Sequence, residues 1–484
     1  MLPGYVSMVV MMLLFPAGQP PENPWKDKVG PALKRAQTEN TVAALRKAFD
    51  VVWRADDWQA GRQLAEQAQK SHPDAPGLRG LVARALWRGG QVPQAENVAR
   101  QISADTKDHV ALRTALELDL ARGQTQPAAE FAARLEKLTP HTAEDLYQLY
   151  AAQFTLNRLE GLPQLLRKAE QLTDPKNGYP ETFVAEAIEG VADFLAAVGP
   201  APLNQVTRPG AAPLPPLVML NLPSCEAFIN GHGPYRMIVD TGGSIMLALD
   251  QAVADEIGLK SLGKASVRGV SGKQETGQAL VDELQIGTIR CRRVITRTFD
   301  VRGSIMNAAD GVVGTGIFAA ARMTLDFAGG QLVVSPSCDE PGVGAPVDLR
   351  LVSDAKLVAL VTLEGQPGVA MLDTGADAVA MAPSRLKRLF PDRKVESIAP
   401  GLALGVGGDQ MPKISFGSGV TLVIAGRKYE NYGGLGLDVL DDILSPAIGI
   451  QTDILLGMPL FRDMKSCTVD FPKCKMWIDW LPHE

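Results

Sequence analysis

The chain has 484 residues, 46% of them hydrophobic and 21% charged, a composition that excludes a disordered chain and a multi-span membrane protein. Its 48 Lys and Arg against 54 Asp and Glu give a net charge of −6, which argues against a nucleic-acid-binding protein. Five cysteines and five histidines, without a clustered His/Cys pattern, exclude a disulfide scaffold and a cysteine-rich zinc module. No metal site and no cofactor are predicted from the motifs described below.

The N-terminal segment is apolar. Residues 5–15 form a run of eleven, about half of what a bilayer's hydrocarbon core requires, so a transmembrane helix is not expected here. Residues 1–20 are predicted to be a signal segment that exports the protein to the periplasm or the extracellular space, either cleaved or kept as an anchor. Because no Lys or Arg precedes the run, a mis-chosen start codon or a buried N-terminal helix is the alternative.

Residues 25–198 are rich in Ala, Leu, Gln, Glu and Arg, which favour helices. Arg88-Gly89 recurs 34 residues later as Arg122-Gly123, and alanines recur at the same interval. A period of 34 with a small residue at the turn resembles tetratricopeptide repeats, which implies a helical array that recruits a protein partner or a substrate. The alternative is an irregular helical bundle in which the recurrence at 34 residues arose by chance.

Residues 199–216 contain six prolines and predict an extended, stiff linker. Beyond it, short Val, Ile, Leu and Thr runs punctuated by Gly predict all-β structure.

The β region repeats itself. Asp-Thr-Gly occurs at 240–242 and at 373–375, each time after an apolar strand pattern. Further on, VVGTGIFAAARMTLDF (312–327) matches LLGMPLFRDMKSCTVDF (455–471), with one extra residue in the second copy. The duplication predicts two related lobes, residues 217–345 and 346–484.

Two Asp-Thr-Gly loops, each followed at a distance by apolar-apolar-Gly, resemble the pepsin-like and retropepsin-like aspartic peptidases, with the retroviral-type lobe the closer likeness. The resemblance covers residues 217–484. It implies a bilobal all-β domain of the acid-protease, closed-barrel type, so the predicted fold class is a helical repeat array followed by that domain. It also implies an aspartic endopeptidase whose substrate is a peptide or protein held extended across a cleft.

Two carboxylates brought close together cannot both ionise cheaply, so they share a proton and titrate as a unit. One then takes a proton from water while the other, as an acid, polarises the scissile carbonyl. We predict Asp240 and Asp373 as this catalytic pair. The residues predicted to support them are Thr241, Gly242, Thr374 and Gly375, with the two threonine hydroxyls in a mutual network beneath the pair, as the resemblance implies.

The chain departs from pepsin-like relatives in two ways. Gly243 and Ala376 stand where those enzymes have Ser or Thr, so fewer hydrogen bonds stabilise the ionised pair and the pH optimum is expected to be mildly acidic. The glycine-rich stretches that would form flaps lack the Tyr of pepsin-like flaps and favour the retroviral type; ordinary hairpin turns are the alternative. The predicted flap and cleft residues are Gly269, Val270, Gly272, Gly405, Val406 and Gly407.

Other interpretations compete with the peptidase. One is a catalytically silent, peptidase-shaped binding protein, and another is a scaffold that acts through its helical repeats. Each lobe could also pair with a lobe of a second chain. The segment 258–264 has most of a phosphate-binding loop, but Ala265 stands where Ser or Thr should bind magnesium, so we expect no nucleotide site. Cys467 and Cys474 flank a predicted hairpin, where an oxidising compartment would permit a disulfide.

Overall fold

The computed structural model describes most of the chain after residue 22. The described residues are 9–10, 23–102, 106–188, 190–217, 220–243, 246–269, 272–353, 355–392, 396–398, 403–404, 414–416, 419–433 and 435–482. Most of the predicted signal segment, residues 1–20, therefore lies outside them. Of that segment, only the short strand β1 (Val9–Val10) is described.

The chain divides into two compact units. One is helical and comprises Gly18–Ala201 together with Ser445–Gln451. The other comprises Met1–Ala17, Pro202–Leu444 and Thr452–Glu484 and is built mainly of strands, and we call it the β unit. This order confirms the predicted fold class, a helical region followed by an all-β bilobal domain.

Side-chain caps set where the helices of the helical unit begin. The Asp57 carboxylate accepts a hydrogen bond from the Ala60 amide at 2.9 Å, and Thr142 forms a reciprocal capping box with Asp145. Such caps satisfy amides that would otherwise lack partners in the first turn. The helices are α1 (Lys26–Glu39), α2 (Val42–Arg54), α3 (Trp58–Ser71), α4 (Pro76–Arg88), α5 (Val92–Ala99), α6 (His109–Ala121), α7 (Thr125–Leu135), α8 (Ala143–Thr155), α9 (Leu162–Leu172), α10 (Glu181–Ile188) and α11 (Val191–Val198).

The helices follow the spacing read from the sequence. Helices α2, α4, α6 and α8 begin 34, 33 and 34 residues apart, and each packs against the helix that follows it. Where α4 meets α6, a Cβ on Gly80 would lie 2.5 Å from the Ala111 Cα, so only glycine permits this approach. The spacing agrees with the predicted period, and the assignment to tetratricopeptide repeats stays a prediction.

A segment from the second half of the chain completes the helical unit. Ser445–Gln451 is grouped with the helices, and the Gln451 amide donates to the Arg88 carbonyl oxygen at 2.9 Å. Gly449 lies so close to Glu117 that a Cβ on it would come within 3.3 Å of Oε1. The sequence pattern did not predict that residues so distant along the chain belong to this unit.

The first lobe of the β unit holds the first Asp-Thr-Gly loop at its centre. Its strands and helices are β2 (Gln205–Arg208), β3 (Gly210–Pro213), β4 (Ser224–Ile229), β5 (His232–Asp240), β6 (Leu247–Asp250), α12 (Gln251–Glu256), β7 (Gly263–Gly269), β8 (Gly272–Ile286), β9 (Ile289–Phe299), α13 (Val301–Ser304), β10 (Gly311–Gly314), β11 (Arg322–Asp326) and β12 (Gln331–Ser335). The main sheet has the strand order β2-β9-β6-β10-β5-β4-β8-β7.

The second lobe repeats the arrangement of the first. Its strands and helices are β13 (Ala345–Val347), β14 (Leu349–Val352), β15 (Lys356–Leu363), β16 (Gln366–Leu372), β17 (Val379–Met381), α14 (Pro383–Leu389), β18 (Glu396–Ile398), β19 (Ala403–Leu404), β20 (Ile414–Phe416), β21 (Val420–Ile424), β22 (Arg427–Tyr432), β23 (Leu435–Leu437), β24 (Ile454–Leu456), α16 (Met458–Phe461), β25 (Met464–Asp470) and β26 (Lys475–Trp480), while α15 (Ser445–Ile448) lies in the segment that belongs to the helical unit. Strands β16 and β24 take the places of β5 and β10, and the short β1 pairs in parallel with β19.

One sheet joins the two lobes, with the strand order β13-β26-β25-β11-β12-β3. The repeated Thr-x-Asp motifs meet at its middle, where Thr324 pairs with Thr468 across β11 and β25 and their hydroxyl oxygens lie 2.9 Å apart. The duplication seen in the sequence is thus a pseudo-two-fold relation between lobes. It also makes the two lobes one folding unit, since each contributes strands to the same sheet.

The segment 199–216, predicted as an extended, stiff linker, contains two strands of the β unit. It is extended, but β2 pairs with β9 and β3 pairs with β12, so both strands belong to the β unit. A proline-rich chain is already extended, and its proline-free stretches retain the amides that a sheet edge needs. The connection between the units is therefore shorter than predicted.

All five cysteines lie among the described residues, and none of them forms a disulfide. The predicted hairpin that carries Cys467 and Cys474 is present as β25 and β26, but Cys467 lies opposite Ile478 in its register. The Cys474 thiol instead donates to the Leu349 carbonyl oxygen at 3.5 Å. The disulfide is therefore not formed. Among the helices of the described chain, none has the length and apolarity needed to span a membrane.

Candidate active site

The first lobe delivers Asp240 at the end of a fully buried strand. Met237, Ile238 and Val239 are completely shielded from solvent in β5. Strand β10 runs parallel to β5, with Val313 opposite Val239 and Gly314 opposite Asp240. The apolar-apolar-Gly motif is therefore the neighbouring strand that fixes where the Asp240 carboxyl points.

The second lobe delivers Asp373 in the same way. Strand β16 pairs in parallel with β24, with Leu372 opposite Leu456, and the Asp373 amide donates to the Leu456 carbonyl oxygen at 3.0 Å. Asp373, like Asp240, is completely buried. Central parallel strands of this kind are buried on both faces, which is why both copies read as continuous apolar runs.

Each carboxylate is held by its own loop and packed against the other. The Gly242 amide donates to Asp240 Oδ1 at 2.7 Å, and the Gly375 amide donates to Asp373 Oδ1 at 2.8 Å. A Cβ on Gly375 would lie 2.5 Å from the Asp240 Cγ, and a Cβ on Gly242 would likewise overlap the Asp373 carboxyl. Glycine is required here because the opposite carboxyl occupies the space of a side chain. The two lobes of one chain therefore complete the pair.

The two threonines cross-link the loops beneath the carboxyl groups. The Thr241 amide donates to the Thr374 hydroxyl at 3.0 Å, and the Thr374 amide donates to the Thr241 hydroxyl at 2.9 Å. Each hydroxyl donates in turn to the opposite strand, Thr241 to the Leu372 carbonyl at 2.9 Å and Thr374 to the Val239 carbonyl at 2.8 Å. Four reciprocal hydrogen bonds thus set the spacing of the loops, and the mutual network that the resemblance implied is present.

Burial and proximity raise the pKa of both carboxyl groups. Burial is the main cause for Asp373, and the charge and hydrogen bond of Asp240 add to it, so the pKa of Asp373 lies well above its ordinary range. Burial also raises the pKa of Asp240, but the hydrogen bond from Asp373, the Gly243 and Gly242 amides and the charge of Lys356 oppose the rise. The two carboxyls therefore titrate as a unit that holds one shared proton.

The departures from pepsin-like relatives are located at this pair. The Gly243 amide stabilises the Asp240 carboxylate, and a Cβ on Gly243 would lie 3.2 Å from both Asp240 Oδ2 and the Gly314 Cα. At the equivalent place in the second lobe, the Ala376 amide donates to the Asp373 carbonyl oxygen at 3.3 Å. Neither residue offers a hydroxyl, so at these two positions only the backbone amides are available to hydrogen-bond to the loop.

Only the first predicted flap falls within the described residues, and only in part. Strands β7 and β8 form a hairpin in which Gly269 pairs with Gly272 at the tip. Of the other residues predicted for the flaps and the cleft, Val270, Gly405, Val406 and Gly407 lie outside the described residues.

Two carboxylates near the site escaped the sequence reasoning. Asp310 and Asp453 precede the apolar-apolar-Gly motifs, each four residues before its glycine, Gly314 or Gly457. The signal was available, because the repeat extends back to these residues as ADGVVG and TDILLG. Lys356, at the start of β15 and only 2% exposed, was also missed, since a lone lysine carries no pattern. In the part of the chain that the structure describes, no group of His, Cys, Asp and Glu is arranged to hold a metal ion.

One family model matches the two lobes that carry this geometry. Residues 225–317 and 359–460 match the family model described as aspartyl protease, and each matched segment contains one Asp-Thr-Gly loop and its apolar-apolar-Gly strand. The match supports an aspartic protease domain of acid-protease-like fold in the β unit. Among solved structures, a retropepsin-like aspartic protease from Rickettsia conorii is 17% identical, with a TM-score of 0.18 over 26% of this chain and 87% of that chain. No curated protein matches the chain.

Proposed function

We propose that the β unit is an aspartic endopeptidase that hydrolyses peptide bonds with water activated by Asp240 and Asp373. The observation that supports it most is the reciprocal packing of two buried carboxyl groups, each against the glycine of the opposite loop. Burying two adjacent carboxyl groups destabilises a protein, and a fold does not need such a pair for its own stability. A catalytic role explains the pair, because one carboxyl then acts as a base while its neighbour acts as an acid.

In the proposed reaction, the Asp240 carboxylate takes a proton from a water molecule, whose oxygen attacks the carbonyl carbon of the scissile bond. The proton on Asp373 passes to the carbonyl oxygen as it becomes a hydroxyl. The resulting diol loses its C–N bond when Asp240 returns a proton to the nitrogen and Asp373 recovers one from a hydroxyl. The products are a carboxylic acid and an amine, and the pair ends in its starting protonation state.

The test uses the full chain with a mixed peptide library between pH 3 and pH 8. Wild type is compared with Asp240→Asn and Asp373→Asn. The matched control is Asp326→Asn. Asp326 belongs to the repeated Thr-x-Asp motif in β11, outside the strands that carry the pair, and its Oδ1 accepts a hydrogen bond of 2.7 Å from the Gly329 amide. We expect both dyad variants to lose cleavage and the control to retain it. Cleavage that persists in either dyad variant overturns the proposal.

A silent binding protein is the competing function. It predicts no cleavage by the folded wild type at any pH, together with peptide binding that both Asp→Asn variants retain. Thermal unfolding of each variant, measured beside activity, separates loss of chemistry from loss of fold.

We further propose that the helical unit recruits protein substrates. It has a groove of about 970 Å³, and Lys47, Trp53 and Arg84 are among the side chains that line it. The Arg84 guanidinium stacks 3.9 Å from the centre of the Trp53 ring, whose N–H donates to Glu144 at 3.1 Å. Aromatic rings whose polar edges are fixed in this way offer rigid contact area to a partner chain.

Recruitment by this groove predicts different effects on long and short substrates. Lys47→Glu is expected to raise the KM for an unfolded protein substrate severalfold, with the kcat and the KM for short peptides unchanged. Lys70→Glu, the same charge change on α3 and away from the lining, serves as the control. Equal KM values for Lys47→Glu and Lys70→Glu on the protein substrate would refute recruitment by this groove.

A further inference from the structure

Each strand that leads to a dyad aspartate is held at its middle by the carboxylate of another aspartate. In the second lobe, Asp453 Oδ2 accepts the Val369 amide at 3.0 Å, and the Asp453 amide donates to the Val369 carbonyl oxygen at 2.9 Å. In the first lobe, Asp310 Oδ2 accepts the Arg236 amide at 2.8 Å, and the Asp310 amide donates to the Arg236 carbonyl at 2.7 Å. Val369 and Arg236 each lie four residues before the dyad aspartate of their lobe.

The backbone of each carboxylate also fixes the next element. The Asp453 carbonyl oxygen accepts the Ala382 amide at 2.9 Å, where α14 begins. The Asp310 carbonyl oxygen accepts the Asp250 amide at 2.9 Å, where α12 begins. Each aspartate therefore ties together the dyad strand, the apolar-apolar-Gly strand and the helix that follows the loop.

The positive charges that balance these aspartates come from different places. Arg302, eight residues before Asp310, donates to its Oδ1 at 2.8 and 3.0 Å. Arg388, from α14, donates to Asp453 Oδ1 at 2.8 Å. The arginines do not occupy equivalent positions, whereas the bond from carboxylate to strand does. The two lobes therefore share the hydrogen bond from the strand amide to the aspartate carboxylate. The arginine in each lobe only neutralises the charge of that carboxylate.

We propose that Asp453 and Asp310 are positioning residues for the dyad, because each fixes the register of the strand that ends in a dyad aspartate. The proposal rests on the proposed peptidase function. Four residues of strand span about 13 Å, and a buried parallel pair passes a shift at one end to the other with little damping. The Asp453 side chain is only 5% exposed, so water replaces its bonds less readily than those of Asp310, whose side chain is 18% exposed.

The test compares Asp453→Ala, which removes the acceptor for the Val369 amide, with Asp453→Asn, which keeps an oxygen at that place. A misplacement near 1 Å costs about 100-fold in rate, so we expect Asp453→Ala to lower kcat at least tenfold with KM little changed. The Asn variant is expected to recover most of that loss. Because the dyad carboxyls then interact less strongly, the two apparent pKa values of the pH–rate profile are expected to move closer together in Asp453→Ala.

The same titration is measured without hydrolysis, by carbon-13 NMR of the aspartate carboxyls, with Asp240→Asn and Asp373→Asn used for assignment. If wild type cleaves nothing but Asp453→Ala still moves the dyad titration, the positioning role stands and the peptidase function fails. If wild type cleaves and Asp453→Ala only lowers the unfolding temperature, with kcat per folded molecule and the titration unchanged, the positioning role is overturned. Asp326→Ala, which removes a comparable backbone bond far from the pair, is the control for a purely structural loss.

Should Asp453→Ala fail to fold, Asp310→Ala provides the same test in the first lobe. Because the Asp310 side chain is more exposed, its replacement is expected to destabilise the fold less. The pH–rate profile and the carboxyl titration are expected to change in the same direction as in Asp453→Ala. An unchanged pH–rate profile and carboxyl titration in folded Asp310→Ala would then overturn the proposal.

Discussion

Replacement of Thr374 by Val tests whether the threonine cross-link holds the lobes and the dyad together. The substitution keeps the β-branched shape and removes one hydroxyl. That hydroxyl accepts the Thr241 amide at 3.0 Å and donates to the Val239 carbonyl at 2.8 Å. Thr374 and Val239 are completely shielded from solvent and Thr241 is 1% exposed, so water does not replace either bond.

The magnitude follows from the two groups left without partners. An unpaired buried donor or acceptor lowers the free energy of unfolding by about 1–3 kcal/mol, so the Thr241 amide and the Val239 carbonyl together lower it by about 2–6 kcal/mol. Burial of the methyl group that replaces the hydroxyl restores about 1 kcal/mol. A net loss of about 3 kcal/mol lowers Tm by about 5 °C in a unit of this size. Activity is expected to fall as well, because both loops that carry the dyad lose their shared anchor.

The assay is denaturant and thermal unfolding of the full chain, followed by kcat on the folded fraction. Thr374→Ser keeps the hydroxyl and is expected to stay within about 1 kcal/mol of wild type. Thr241→Val is the equivalent change in the other lobe and is expected to cost as much as Thr374→Val. If Thr374→Val and Thr374→Ser unfold at the same temperature, the cross-link does not stabilise the fold and the reasoning is refuted.

Three further predictions follow from the same structure. The pKa of Asp373 is raised well above its ordinary range and that of Asp240 is also raised, so the singly protonated pair is lost only as pH rises through these raised values. We therefore expect a mildly acidic pH optimum for cleavage, and a rate maximum near pH 2 would contradict it. Gly242→Ala places a methyl group into the Asp373 carboxyl and is expected to lower kcat about 100-fold in folded protein, and a wild-type kcat would show that the loops are not in contact. Burial raises the pKa of Glu117 from 4.5 to about 7, so the native state binds this proton more tightly and stability falls as pH rises from about 4.5 to about 7. Glu117→Gln is expected to flatten that part of the stability–pH curve, and an unchanged slope would rule out Glu117 as its source.

Local patterns in the sequence predicted the order of the structure and the centre of the site. Helix starts at Thr41, Asp57 and Thr142 are decided by a capping side chain and the next few residues, and so they can be read without knowing the fold. The Asp-Thr-Gly loops and their apolar-apolar-Gly strands were predicted because the chain contains them twice, so each copy provides the evidence for the other.

Several features depend on which residues meet across the fold, and no local pattern specifies that. The strands within 199–216 form because β9 and β12 offer them free edges. Ser445–Gln451 joins the helical unit through contacts with residues more than 300 positions earlier in the chain. Cys467 and Cys474 share a hairpin, yet the register of the hairpin, and not their spacing, decides that Cys467 lies opposite Ile478.

The sequence by itself determined that Asp240 and Asp373 end two buried strands, since that follows from composition and order along the chain. The tertiary structure alone decided that each carboxyl rests against the glycine of the opposite loop, and that the pKa of both carboxyls is raised. The reason is that a pKa depends on burial and on the distance to other charges, both of which arise only when the two lobes meet. Two identical tripeptides thus become one coupled pair through contacts that neither tripeptide encodes.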